Sequence, residues 1–351
     1  MVDRNPAVEA IVPATAGWEA GELEMPGRCI ACAGSDLVGR YAGLDDRLGR
    51  IPGSWGFLEC TACGALNLAP RPTLEAVGKA YPGDYVTHDD GAGVAARDDG
   101  DGPVWRSING YLNMRFGANR KAASRLGGWC VGLLWPVRFQ LDYFFRHLPP
   151  TPGRLLDVGC GNGAFLSRAA DAGWTVEGIE PDPQAAAVAR RTGFNVWEAS
   201  LEDVSPTQPF DRITLSHVLE HLHEPGAALQ RMRGWLKPGG EIWLAVPNPG
   251  GPGHRYFGRN WFSLDPPRHL CLPTSRQLLA MLADAGFDSA RLVRRGRGAR
   301  SSILPSARYR KERGDGDSPL VRPLVWLIDL LASIFPGASE EIVVIARRGD
   351  A

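Results

Sequence analysis

The sequence predicts an α/β protein: a mostly parallel sheet with helices on both faces, preceded by a small N-terminal module stapled by metal. Three observations carry this expectation. From Gly153 onward, short apolar runs alternate with helical periodicities, the signature of strand–helix–strand units. The first of these runs, "RLLDVGC", passes directly into a glycine turn, GxGxG at Gly159, Gly161 and Gly163. Near the N-terminus two CxxC pairs, Cys29/Cys32 and Cys60/Cys63, have the local spacing of zinc knuckles.

Residues 1–27 are rich in Ala, Gly, Glu and Pro and read as a disordered leader. A zinc-ribbon module follows over 28–86. Each CxxC turn presents two thiolates, and the pairs close on one structural Zn²⁺ as a Cys₄ set. Gly34 and Gly64, just after the pairs, suit turns in which backbone N–H groups approach the sulfurs. The segment between the pairs exceeds the commonest finger spacing and fits a hairpin with an insertion. A disulfide framework is disfavoured by chain size and compartment. "TLEAVGKAYPGDYV" predicts a short helix and a Tyr/Pro/Gly turn, and the acidic, glycine-rich stretch 87–103 a flexible linker. Residues 104–150 form a helical lid or connector, in which "GGWCVGLLWPVRFQLDYFFRHL" is a helical pair or one helix broken at Pro136.

Over 151–351 the predicted strands are "RLLDVGC", "TVEGIEP", "FNVWEAS", "DRITLSH", "GGEIWLAVPN", "SARLVRRG" and the terminal "EIVVIARR". Between them lie helices "AFLSRAADAG", "DPQAAAVARRTG", "EPGAALQRMRGWL" and "TSRQLLAMLADAGF". Pro225 suits a first helical turn, and Ser/Thr caps the last of these helices. A helical insertion at about 318–336 precedes the last strand and repeats apolar residues on one face.

Basic and acidic residues balance, 39 against 39, which argues against a nucleic-acid partner. No basic start leads into an apolar core, and no run of about 18 apolar residues occurs. The protein is therefore expected to be cytoplasmic, with peripheral membrane contact through 318–335 as a further reading. That helix, with Trp129–Val137, either lies on a membrane or covers a lipid-linked acceptor, or it packs on the sheet or on a second copy. The basic run "RLVRRGRGARSS" either meets phosphates of a nucleotide-sugar or lipid headgroup, or is a solvated face.

The chemistry concentrates in two loops. Asp157 ends the first strand, and Glu180 ends the second about 20 residues on, where a carboxylate can take both hydroxyls of a ribose. The loop is GxGxG rather than the GxGxxG that admits a pyrophosphate, and an acid directly before it repels phosphate. Both departures point away from a dinucleotide and toward S-adenosylmethionine (SAM), whose cationic end suits Asp157. In "LLDVGCGNG", "GIEPD", "FDRITLSHVLEHLHEP" and "LKPGGEIWLAVPN", residues 150–295 resemble class I SAM-dependent methyltransferases. The resemblance implies a Rossmann-like, seven-stranded sheet with the last strand antiparallel. It implies SAM contacts from Asp157, Gly159, Cys160, Gly161, Gly163, Glu180, Pro181, Ser216 and His217. The adenine contact falls in "EASLED", on Ser200, Leu201, Glu202 or backbone.

With its CxxC module, "YPGDY" and "DPPRHLCLPT", the chain looks like a bacterial subgroup that acts on sugars, polysaccharide precursors or other small metabolites. That likeness sets Asp265, Arg268 and His269 over the acceptor, with Arg268 binding an anionic group and His269 removing a proton. The alternative is that these residues hold a proline-rigid loop together.

The stretch "HVLEHLHEP" spaces His217 and His221 like metal ligands on a helix, but a strand ends here, and Glu220 or His223 as third ligand is expected to face elsewhere. His217 is instead expected to line the SAM site, His221 to act as an acceptor-side base, and His223 to be structural. The expected function is methyl transfer from SAM to a small-molecule or glycan-precursor acceptor. An RNA or protein methyltransferase guided by the ribbon, and a SAM- and zinc-binding protein without catalysis, stay open as alternatives.

Overall fold

Leu155 and Leu156 are adjacent and fully buried, yet they belong to two different apolar clusters. Successive strand residues point to opposite faces, so the strand that carries them lies in a sheet covered on both sides. The computed structural model describes residues 17–19, 21–81 and 102–350.

The N-terminal part contains β1 (Leu23–Glu24), β2 (Leu37–Leu44), β3 (Trp55–Cys60), β4 (Leu66–Ala69) and β5 (Arg71–Pro72). Three helices follow, α1 (Pro103–Phe116), α2 (Arg125–Leu133) and α3 (Trp135–Phe144). The chain then runs through β6 (Arg154–Val158), α4 (Ala164–Asp171), β7 (Thr175–Ile179), α5 (Pro183–Arg191), β8 (Asn195–Trp197) and β9 (Phe210–Ser216). It continues with α6 (Pro225–Trp235), β10 (Leu236–Pro247), α7 (Pro252–Phe257), β11 (Cys271–Leu272) and α8 (Ser275–Asp284). β12 (Ser289–Leu292), α9 (Ala299–Glu312), α10 (Val321–Ile334) and β13 (Glu341–Arg347) complete it.

The main sheet has seven strands in the order β12-β13-β10-β9-β6-β7-β8. β13 alone runs antiparallel to its neighbours, pairing with β10 and β12. The strand order reverses between β6 and β9, and in open α/β sheets the crevice at the carboxyl ends beside such a switch point takes ligands. Leu229 and Met232 of α6 and Leu278 and Leu282 of α8 cover one face. Leu166 and Ala169 of α4 and Ala186 and Ala189 of α5 cover the other. Local chemistry agrees: Asp182 caps α5 by accepting from Ala185 N at 2.8 Å, and Thr274 caps α8 by accepting from Gln277 N at 3.2 Å. The break between α2 and α3 falls at Leu134, with Pro136 in the first turn of α3, where its missing N–H is harmless.

The second sheet is antiparallel, β11-β4-β3-β2. Its fourth strand comes from residues 271–272, so the zinc-ribbon module does not close within 28–86 as expected. The leader expected over 1–27 is also partly ordered. Trp18 is buried with its ring edge-on to Trp55 at 5.5 Å, and β1 pairs with β5. The expected short helix after Thr73 is a single 3₁₀ turn, Val77–Ala80. α1 starts at Pro103, inside the stretch expected to be linker, because Gly102 is its cap and Pro103 its first residue. Residues 1–16, 20, 82–101 and 351, with the rest of the expected leader, linker and "YPGDY" turn, lie outside the described residues.

Candidate active site

The four predicted metal-binding cysteines converge. Sγ of Cys29 lies 3.7 Å from that of Cys63, and Sγ of Cys32 lies 3.6 Å from that of Cys60. A tetrahedron with zinc–sulfur bonds of about 2.3 Å has edges of about 3.8 Å, so the thiols fit one Zn²⁺. Asn67 donates an amide N–H toward Cys29 Sγ at 3.6 Å, the contact a thiolate favours. The two knuckles solve their turns differently. Gly64 takes the left-handed conformation at φ +74°, but in the first knuckle Ala33 does so at φ +59°. Gly34 is needed for closeness instead, since a Cβ there would sit 3.3 Å from Cys32 Sγ.

The glycine loop meets the fourth-strand exit directly. Gly159 has φ +69°, and a Cβ on it would come within 2.5 Å of Val218 Cγ2. Over Gly161, at φ +54°, a Cβ would meet nothing within 4 Å, which leaves room for a ligand beside the backbone. Glu180 braces this loop: Oε2 accepts from Gly161 N at 2.8 Å and Oε1 from Asp182 N at 3.0 Å. The carboxylate was expected to serve a ribose; it serves backbone amides as well, and each oxygen keeps a lone pair for a hydroxyl.

Asp157 requires a correction. It was expected to meet the cationic end of SAM, but its charge already has a protein partner. Arg146 pairs with Oδ1, and Thr214 donates to the same oxygen at 2.9 Å. Arg146 is held there by stacking 3.8 Å over the Phe165 ring. Burial nevertheless pushes the Asp157 carboxyl up, outweighing Arg146. Oδ2 is buried with no hydrogen-bond partner among the described residues. That orphaned oxygen, the open space over Gly161 and the remaining lone pairs of Glu180 fit SAM.

Of the other expected contacts, the Cys160 thiol is buried and turned against Gly178, so only its backbone borders the loop. Pro181 is exposed and Ser216 closes β9 opposite Ala245. Ser200 donates to Asp203 Oδ2 at 2.6 Å, and Leu201 is buried.

The 265–269 loop separates into two tasks. Arg268 is fully buried and cannot reach an anionic acceptor, contrary to expectation. Its guanidinium donates to Asp265 Oδ2 at 2.9 Å and Oδ1 at 2.6 Å, and pairs with Asp46 of the N-terminal module. Asp265 is thereby committed too, at φ +37°. His269 faces elsewhere, toward Glu220 and His221. Leu270 N donates to Glu220 O at 2.8 Å, which docks this loop on the turn after β9.

Glu220, His221 and His269 consequently converge, with ligand atoms all within 4.8 Å of one another. Sequence spacing had set Glu220 on another side; a 3₁₀ turn at Leu219–His221 brings it round. His221 donates from Nδ1 to Arg268 O at 3.0 Å, with the Tyr81 hydroxyl oxygen 2.9 Å from the same nitrogen. His269 donates from Nδ1 to Ser263 O at 2.8 Å. On each ring Nε2 is therefore the nitrogen left for another partner. Burial, then neighbouring His269, lowers His221 to about 4, so it is neutral at pH 7.

His217 differs. Burial opposes its charge, but Glu220 and Glu341 outweigh this and raise it to about 10. Its Nδ1 lies 3.2 Å from Glu220 Oε1 and its Nε2 3.7 Å from Glu341 Oε1. Glu341 also accepts from Tyr143 Oη at 2.6 Å and Arg295 Nε at 2.8 Å. With a cation already on Glu220, and Nδ1 of both other imidazoles donating, the cluster offers ring nitrogens that can take a proton or a metal ion. His223 only braces, with Nε2 donating to Pro72 O at 2.9 Å. Arg146, Tyr143, Arg295 and Glu341 stood in no motif; Tyr81 alone had a signal, as the first residue of "YPGDY".

Residues 138–291 match the family described as "Methyltransferase domain". Over that stretch the chain is similar to methyltransferases. The chain is 36% identical over 121 residues to a ubiquinone biosynthesis O-methyltransferase of Xanthomonas axonopodis pv. citri, covering 32% of this chain and 50% of that protein. It is 35% identical over 121 residues to the protein of that name from Xylella fastidiosa, covering 32% and 48%. The chain thus spans about half the length of the curated relatives it matches. Among solved structures it is similar to an S-adenosylmethionine dependent methyltransferase from Mesorhizobium loti, at 20% identity and TM-score 0.41, covering 60% of this chain and 98% of that one. Within the matched stretch, the glycine loop after β6 and the histidine turn after β9 border the same crevice.

Proposed function

We propose that the protein moves a methyl group from SAM to a small-molecule acceptor, a sugar, polysaccharide precursor or related metabolite, with His221 as the base. The observation that carries this is the neutral His221, anchored through Nδ1 and with no hydrogen bond at Nε2 among the described residues, on the turn whose Val218 abuts the SAM loop. When bound, SAM supplies a methyl group already activated on a sulfonium. The chain's own residues align the acceptor and take its proton as the methyl arrives. His269 and Glu220 border the same space, and charged His217 holds Glu220 in place. Relatives named for O-methylation in ubiquinone biosynthesis support a small-molecule acceptor. The position of the cysteine module also supports it: Cys29 and Cys60 share a packed core with Leu278 and Met281 of α8, so the module is built into the enzyme. It serves the acceptor side through Tyr81 and the Arg268–Asp46 pair.

Calorimetry with SAM, followed by transfer of labelled methyl to a panel of nucleotide-sugars and phenolic acceptors, tests the reading. His221→Asn is expected to keep SAM affinity and lose about 10²–10⁴-fold in turnover. Absence of SAM binding to metal-loaded protein overturns it, as does undiminished turnover in the variant.

A further inference from the structure

α2, α3 and α10 leave a belt of large apolar side chains in water. Trp129 is 65% exposed and Leu133 79% on α2, and Trp326 is 68% exposed beside Leu327 and Leu330 on α10. Monomeric proteins rarely expose so much contiguous apolar surface without a partner for it. The helices are joined across this face by the segment after β12: Arg294 stacks over Phe139 of α3 and donates to Ile334 O at the end of α10. An apolar cleft of about 560 Å³ opens in the same belt, lined by Trp129, Leu133 and Phe139 with Arg115 and Arg138 among them.

The charges here are one-sided. Arg125 of α2, Arg322 of α10, and Arg294 and Arg297 of the segment after β12 are exposed. The acids on these elements are buried and engaged. Asp142 accepts from Tyr111 Oη at 2.7 Å, and Asp329 accepts from Gly298 N and Ala299 N at 2.8 and 2.9 Å. Arg297 lies 5.4 Å over the Trp326 ring, a cation beside an amphipathic aromatic, as at a headgroup boundary. Two copies meeting on this belt would set arginine against arginine, with no exposed acid on α2, α3 or α10 to intervene. No helix among the described residues is long and apolar enough to cross a membrane.

We propose that this belt docks the enzyme on the surface of an anionic phospholipid bilayer, tryptophans and leucines in the headgroup boundary and arginines on the phosphates. Apolar insertion and phosphate contact each contribute, as for amphipathic helices that lie on membranes.

Full-length, metal-loaded protein is sedimented with vesicles of phosphatidylcholine alone and of phosphatidylcholine with phosphatidylglycerol, with SAM affinity as the check of folding. Binding is expected only to the anionic vesicles and is expected to fall with salt. Arg322→Glu is expected to weaken it about fivefold or more, and the double variant Leu327→Glu/Leu330→Glu to abolish it, both with SAM affinity intact. The proposal is overturned by failure to sediment, by equal binding to neutral vesicles, or by variants that sediment like the parent. A dimer that dissociates in the leucine variant likewise overturns it, assigning the belt to a second copy.

Discussion

His217 is charged at neutral pH while His221, one 3₁₀ turn away, is not, and the difference lies in their neighbours. A proton on His217 is shared by two carboxylates; a proton on His221 would sit half-buried beside His269. Because the folded pKa of His217 is raised to about 10, its contribution to stability is complete below about pH 6.5 and disappears as pH rises toward 10. The melting temperature of His217→Gln should accordingly fall furthest below the parent under mildly acidic conditions, and the two should converge near pH 10. His221, lowered to about 4, should leave turnover flat from about pH 6 to 8. Gly159→Ala sets a Cβ 2.5 Å from Val218 Cγ2 at a φ of +69°. It is expected to cost about 1–3 kcal/mol in denaturant titration and to abolish SAM binding in calorimetry. The glycine positions were legible in the sequence because steric permission belongs to one residue. The partner of Asp157 was not: Arg146 reaches it only after α3 has turned back over β6, and nothing local announces that.

The strands of the main sheet could be read from alternation and apolar runs, and their helices from period, from Pro225 in a first turn and from the cap at Thr274; the cap at Asp182 appeared only in the structure. β11 could not, because two residues carry no period; Cys271 and Leu272 are strand only through pairing with Asn67 and Leu66. The Arg268 loop illustrates the same limit. Its residue types suited an acceptor contact equally well until burial showed the guanidinium enclosed. The cysteine element makes its own prediction. Chelation or Cys60→Ser should release one zinc per chain and expose the paired Trp18 and Trp55, seen as a red shift in fluorescence. SAM affinity should change little, since the SAM loop lies on β6, while methyl transfer should fall as Tyr81 loosens from His221.

The two sheets behave as one structure. Arg268, fully buried, is gripped by Asp265 from its own loop and by Asp46 from between β2 and β3. Asp46→Ala leaves that charge half-compensated and removes the acceptor for Arg50 N and Ile51 N, and is expected to destabilise the whole chain by about 3–5 kcal/mol, measured as a single cooperative transition. Two separate transitions would contradict a common core. The pairing of β11 with β4 has a consequence for biosynthesis. On the ribosome, the cysteines and the β2–β3–β4 meander emerge early, while residues 271–272 follow only after β6 to β10, five of the seven strands of the large sheet, have been made. Until then β4 presents a row of unpaired N–H and C=O groups to any strand in reach. The nascent chain is most exposed to mispairing with its neighbours on the same message during that interval, and a product truncated before Cys271 should hold metal yet aggregate.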